Sequence, residues 1–117
     1  MTDPSPIQLR DCLVDHRQQL VHSEAGSRRM TTKETQLFLH LVANPSRTIP
    51  REELLVEVWG YDSSAYTRAV DNMVRKLRSK LERDSRNPVH IHTVHGEGYR
   101  FEPLVTEAVA SPPPPNT

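Results

Sequence analysis

The stretch from Thr67 to Arg83, TRAVDNMVRKLRSKLER, limits the possible fold more tightly than any other part of the chain. Val70, Val74, Leu77 and Leu81 recur at spacings of four, three and four. At about 100° per residue a helix gathers them into a wedge roughly 60° wide. Arg68, Asn72, Arg75, Lys76, Ser79 and Arg83 fall within about 60° of the opposite direction by the same arithmetic. The pattern predicts an amphipathic helix from Thr67 to Arg83 whose outer face carries four cations, an amide and a hydroxyl. Asp71 and Glu82 lie on one flank, so no acid occupies the centre of that face.

The chain as a whole has 15 basic and 15 acidic residues, and a net charge of zero by itself argues against binding nucleic acid. The distribution reverses that argument. From Thr67 to Arg86 there are seven bases (Arg68, Arg75, Lys76, Arg78, Lys80, Arg83, Arg86) against three acids (Asp71, Glu82, Asp84), a balance of +4. From Arg51 to Asp62 one base stands against Glu52, Glu53, Glu57 and Asp62, a balance of −3. Two readings of the helix remain open. Charged helix faces are usually just solvated. Solvated helices normally mix signs for support between successive turns, however, and a face of one sign suits a polyanion.

A chain of 117 residues fits one domain with a modest core. Aromatic residues make up only 5% of it, so that core must rest on aliphatic side chains. Cys12 is the single cysteine, which excludes an intrachain disulfide and a cysteine-based zinc cluster and suits a reducing compartment. No apolar run approaches the roughly 20 residues of a membrane span. The opening MTDPSPIQLRD has neither the basic start nor the apolar stretch of a signal peptide. The expected location is the cytoplasm. Residues 1–6 read as a disordered N-terminus and 7–103 as the folded domain. Residues 104–117, ending SPPPPNT, read as an extended proline-rich tail or as the start of a linker to further domains.

Within the domain, apolar residues from Ile7 to His22 alternate with charged ones, and SEAGS at 23–27 supplies a turn. This predicts three or four short antiparallel strands. TTKE at 31–34 has the form of a capping box, in which Thr31 and Glu34 satisfy each other's backbone N–H groups. Leu37, Phe38, Leu41 and Val42 follow as a helical stripe that ends at Asn44-Pro45. A second helix is expected over Arg51 to Trp59, with Leu54, Leu55, Val58 and Trp59 inward and Gly60 as its stop. Pro50 suits the helix start because the N–H it lacks would be unpaired there. After Asn87-Pro88, VHIHTV reads as a strand with Val89, Ile91 and Thr93 on one face and His90 and His92 on the other. HGEG then turns the chain, with Gly96 and Gly98 supplying positive φ, and Tyr99 and Phe101 close the hairpin over the core. The expected fold class is α+β.

Three histidines in six positions, His90, His92 and His95, raise the question of a metal. His-x-His is a weak pattern, no cysteine is near, and no acid has the spacing to complete a ligand set. Strand histidines without a metal are therefore expected. The chain also lacks a phosphate-cradling glycine loop, and Cys12 has no positioned base. An enzyme is not expected, nor is a cofactor.

Taken in order, MTTKETQLFLHLVANPSRTIPREELLVEVWG, TRAVDNMVRKLRSKLE and HTVHGEGYRF resemble the winged helix-turn-helix DNA-binding domain of OmpR/PhoB-type bacterial transcription regulators. The likeness runs from about residue 7 to residue 103. It implies an N-terminal antiparallel sheet, three helices and a C-terminal β-hairpin wing. It further implies sequence-specific binding of double-stranded DNA, with the third helix in the major groove and the wing on the backbone toward the minor groove.

Carried over by position, Arg68 would clamp a phosphate, and Asn72, Arg75, Lys76, Ser79 and Arg83 would face bases or groove walls. Thr93 and Gly96 in the wing and the indole of Trp59 would touch the backbone; a core tryptophan is the other reading of Trp59. The loop Gly60, Tyr61, Asp62, Ser63, Ser64, Ala65 and Tyr66 matches one that in some members touches RNA polymerase.

Two positions depart from the family pattern. Met73 replaces a common histidine and should pack as core. His95 replaces the wing arginine that probes the minor groove, which should weaken that contact when the imidazole is neutral. These regulators usually carry a receiver domain ahead of the winged helix, and with six residues before Ile7 none is expected in this chain. The rival reading is a winged-helix module that binds protein through its basic face, since a fold does not fix a function.

Overall fold

A computed structural model describes residues 6–60 and 67–103 of the chain. Four strands open it: β1 (Ile7–Gln8), β2 (Cys12–Asp15), β3 (Leu20–Ser23) and β4 (Gly26–Arg29), hydrogen-bonded in sequence order as an antiparallel sheet. Period-two alternation puts Cys12, Val14 and Val21 inward. Ser23 pairs with Gly26, so Glu24 and Ala25 form a two-residue hairpin loop that Gly26 closes at φ 111°.

Helix α1 (Thr32–Ala43) starts at the expected capping box. The Thr31 hydroxyl accepts from the Glu34 N–H at 3.1 Å, and the Thr31 N–H donates to the Glu34 carboxylate at 2.9 Å. Asn44 caps the other end, just before Pro45. Helix α2 (Arg51–Trp59) begins directly after Pro50. It ends at Gly60, whose φ of 82° lets its N–H return to the Leu55 and Val56 carbonyls. Helix α3 (Thr67–Leu81) is followed by the hairpin of β6 (Ile91–Val94) and β7 (Gly98–Phe101).

One strand was not anticipated. Thr48–Pro50 forms β5, which pairs with β7 to give a second sheet of order β5-β7-β6. Three residues are too few to display an alternation, so only the partner strand reveals this one. β5 also changes the meaning of Gly98. Its φ is 153°, but its main role is close approach, because a Cβ there would collide with the Ile49 carbonyl and lie 3.0 Å from the Pro50 Cα. Gly96 makes the turn, and Gly98 lets β7 lie against β5.

The wedge on α3 packs as the spacing requires. Val70, Val74, Leu77 and Leu81 are buried against Leu37, Phe38 and Leu41 of α1, Leu54, Leu55 and Val58 of α2, and Ile49, Ile91 and Phe101 of the second sheet. Phe101 meets Phe38 edge to face at 6.1 Å. Each such aliphatic side chain contributes about 1.5–3 kcal/mol by leaving water. Met73 and Trp59 lie half-buried against this core. β6 leaves the core after Ile91, so Thr93 is exposed although it is in phase with Ile91.

Candidate nucleic-acid interface

Burying the aliphatic wedge fixes what α3 shows outside. Arg68, Asn72, Arg75, Lys76 and Ser79 are all exposed. No side-chain hydrogen bond or ion pair engages Arg68, Asn72, Arg75 or Lys76 among the described residues. Ser79 donates its hydroxyl to the Lys76 carbonyl at 2.6 Å. The first turn holds Arg68 and no acid. Outward-pointing helix N–H groups there favour an approaching anion.

Arg83 does not belong to this group in the way expected. The helix ends at Leu81, two residues earlier than its periodicity suggested. The Arg83 guanidinium lies 3.8 Å from Asp11 and 3.5 Å from Glu24. Helical arithmetic sees only acids in the same segment, and these two come from the N-terminal sheet. Both contacts are long and the side chain is 70% exposed, so the pairing is weak.

The flank holding Asp71 and Glu82 also carries Arg78, and all three hold the wing. Asp71 accepts the Tyr99 hydroxyl at 2.7 Å and an ion pair from Arg51 at 2.8 Å. Arg78 donates to the Ile91 carbonyl at 3.0 Å and the Thr93 hydroxyl at 2.7 Å, and lies over the Tyr99 ring at 5.6 Å. Glu82 is buried, and its carboxylate accepts from the backbone N–H groups of Val89, His90 and Ile91 at 2.9, 3.0 and 2.8 Å. Burial first, then the Asp71 bond and charge, push the Tyr99 phenol up to about 12. Sequence reasoning placed Asp71 and Glu82 off the cationic face but assigned neither a task. Their signal was their common flank, readable only once the wing is known to dock there.

The opposite flank is held by the N-terminal sheet. Lys80 donates to the Arg29 carbonyl and to Glu34, and Arg28 donates to the Ser79 carbonyl at 2.9 Å. The capping-box carboxylate thus has a second partner, and the cations meet the C-terminal end of the helix, where its dipole favours them.

In the wing, Thr93, His95 and Gly96 are exposed at the outer end. The expected common face of His90 and His92 is not seen: His90 is buried and stacks on Phe101 at 5.9 Å. Its Nε2 accepts from the Arg10 N–H at 3.1 Å, which leaves Nδ1 to donate to the Glu102 carbonyl at 2.9 Å. His92 donates through Nε2 to the Val89 carbonyl at 3.1 Å. Of the suggested polymerase-contact loop, Gly60 caps α2, and Tyr61–Tyr66 lie outside the described residues.

A sheet of four strands, three helices and a hairpin beside a free cationic helix face can be matched against known proteins. The model of a family described as "Transcriptional regulatory protein, C terminal" matches residues 26–101. The chain belongs to this family. Its relatives include bacterial transcription regulators. It is 37% identical over 97 residues to the transcriptional regulatory protein SrrA of Staphylococcus aureus, a match covering 82% of this chain and 40% of SrrA. The domain therefore spans less than half the length of the curated relatives it matches.

The DNA-binding domain of Bacillus subtilis CssR superposes with a TM-score of 0.64 at 32% identity, covering 78% of this chain and 99% of that one. Response regulator DrrB, a Thermotoga maritima OmpR/PhoB homolog, gives 0.70 at 28% identity, covering 83% and 44%. The α+β winged-helix fold and the OmpR/PhoB-type resemblance are both borne out. Domains of this family belong to regulators and are not enzymes. No helix among the described residues is long and apolar enough to cross a membrane.

Proposed function

We propose that this transcription-regulator domain binds double-stranded DNA sequence-specifically, with α3 in the major groove and the wing along the backbone toward the minor groove. The observation that carries this reading is the set Arg68, Asn72, Arg75 and Lys76, exposed on one face of α3 with no side-chain partner among the described residues. Unpaired like charges on one face repel each other, and phosphates relieve that repulsion. Arg68 clamps a phosphate beside the first-turn N–H groups. Asn72 reads an adenine edge bidentately, and Arg75, Lys76 and Ser79 line the groove. Arg83 joins them by exchanging Asp11 and Glu24 for phosphate. Trp59, Thr93 and Gly96 touch the backbone, and His95 reaches toward the minor groove.

The same reading makes residues 7–103 the folded unit, with 1–6 and 104–117 as flanks, the latter an extended tail or a linker. It puts the protein in the cytoplasm and the loop Gly60–Tyr66 against RNA polymerase. Support for that contact is the acidic outer surface of α2, where Glu52, Val56 and Glu57 are exposed.

Affinity for random duplex DNA, followed against salt, tests the central claim. The slope should be near −0.9 per phosphate neutralised, and the double substitution Arg68→Ala with Arg75→Ala should remove most binding. No binding to any duplex at about 50 mM salt, with a protein captured instead, would overturn it in favour of a protein-binding module. Selection of bound duplexes from a random pool then gives the sequence preference and the symmetry of the target.

A further inference from the structure

The groups on α3 already assigned to DNA leave a second cationic feature unexplained. Beyond the helix, the 84–88 loop folds back toward β6 and leaves an open cleft of about 480 Å³. Arg78, Ser85, Arg86, Asn87, His92 and Thr93 line it, and no carboxylate does. Asp84, the acid in the loop, spends its carboxylate on the loop itself. It accepts from the Arg86 N–H at 3.0 Å and from the Asn87 amide at 2.9 Å, which fixes both residues at the cleft edge.

Arg78 forms the inner wall. Its side chain is only partly exposed, and among the described residues it makes no ion pair. Its Nε and Nη2 donate to neutral acceptors, the Ile91 carbonyl and the Thr93 hydroxyl. Nη1 has no partner among the described residues. Glu82 favours its charge, but both oxygens of that carboxylate are committed to wing amides. Burial holds the Arg78 guanidinium below its ordinary value, with Tyr99 and Glu82 opposing that. A partly desolvated cation without an ion-pair partner favours an incoming anion. Arg86 stands at the mouth with its side chain 90% exposed and only a 3.7 Å contact to Asp84. Thr93 accepts from Arg78, so its own hydroxyl hydrogen points elsewhere and is available as a donor.

We propose that this cleft between α3, the 84–88 loop and β6 is a seat for a phosphate group, held by Arg78 and Arg86 with the Thr93 hydroxyl. In the bound state it takes a backbone phosphate of the duplex on the wing side of α3. This assignment rests on the DNA-binding reading for its occupant, and the test separates the two.

The full 117-residue chain is titrated with a labelled random-sequence duplex between about 50 and 200 mM salt. Arg86→Ala should weaken binding about three- to tenfold and make the salt slope shallower by about 0.9, the loss of one phosphate. Arg86→Lys should keep most of the affinity, and Arg86→Glu should lose more than alanine does. If Arg86→Ala retains wild-type affinity and slope while Arg68→Ala lowers both, the duplex binds but the cleft holds no phosphate, and the proposal is overturned. If the wild-type chain binds no duplex, the DNA reading itself fails, and inorganic phosphate decides. Saturable NMR shifts of the Arg78 Nε–H and the Thr93 amide, abolished in Arg86→Ala, would keep the cleft as a free-anion seat. Absence of those shifts would remove it.

Discussion

Glu82→Gln exchanges one oxygen of a buried carboxylate for an NH₂ group, with almost no change in volume. In the native chain that carboxylate accepts three backbone N–H groups, from Val89, His90 and Ile91 at 2.8–3.0 Å. Hydrogen bonds to a charged acceptor contribute about 1.5–3 kcal/mol each, against about 0.5–1.5 for neutral ones. The glutamine oxygen can keep two of the three bonds as neutral bonds, which loses about 1 kcal/mol apiece. The third N–H then faces an NH₂, and an unsatisfied buried donor costs about 1–3 kcal/mol. Relief from burying a charge offsets part of this, leaving a net loss of about 2–4 kcal/mol. For a domain near 100 residues, 1 kcal/mol corresponds to about 4–8 °C, so Tm should fall by about 10–30 °C. Urea denaturation should show a lower midpoint with the same slope, since the surface exposed on unfolding is unchanged. Hydrogen exchange should accelerate most at the amides of residues 89–91. A variant within about 0.5 kcal/mol of wild type, with exchange at those amides unaltered, would refute the claim that Glu82 anchors the wing base.

Three other outcomes are expected. His95→Arg should tighten binding to random duplex about three- to tenfold and steepen the salt slope by about 0.9, because it adds one permanent charge at the wing end; unchanged affinity would remove His95 from the interface. The Tyr99 phenol, pushed to about 12 by burial and then by Asp71, titrates above its unfolded value of about 10. Its contribution is therefore intact below pH 10 and lost as pH rises from about 10 to 12. Denaturation at pH 9 to 11 should show a steeper decline for wild type than for Tyr99→Phe, and parallel curves would contradict the assignment. Burial, followed by the charges of Glu82 and Asp11, pushes the Cys12 thiol to about 12. Folded protein should thus resist alkylation at pH 8 by at least about 100-fold relative to urea-unfolded protein, and equal rates would show that the thiol is not held in the core.

Much of the fold was legible because its determinants are local. The capping box at Thr31 and Glu34, the stop at Gly60, and the four-three-four spacing of Val70, Val74, Leu77 and Leu81 each act within a few residues of chain. The free face of α3 followed from the same spacing, since burying one side of a helix exposes the other. β5 escaped notice because three residues display no period, and its strand identity lies in its pairing with β7. The histidines were harder still. His90 and His92 alternate in sequence, yet His90 is taken into the core by Phe101, Arg10 and Glu102, residues at both ends of the chain.

The sequence by itself determined three helices, a hairpin and a one-signed surface, through side-chain periodicity and backbone preferences that need no distant partner. Tertiary structure alone decided which charges on and just beyond α3 stay free. Arg78, Lys80 and Arg83 are as basic as Arg68, Arg75 and Lys76, but they meet the wing, Glu34, and Asp11 with Glu24. Those partners come from a strand, the turns of the N-terminal sheet and a helix cap elsewhere in the chain. An electrostatic partner is chosen by distance in space, and a helical wheel carries no record of what packs beside it.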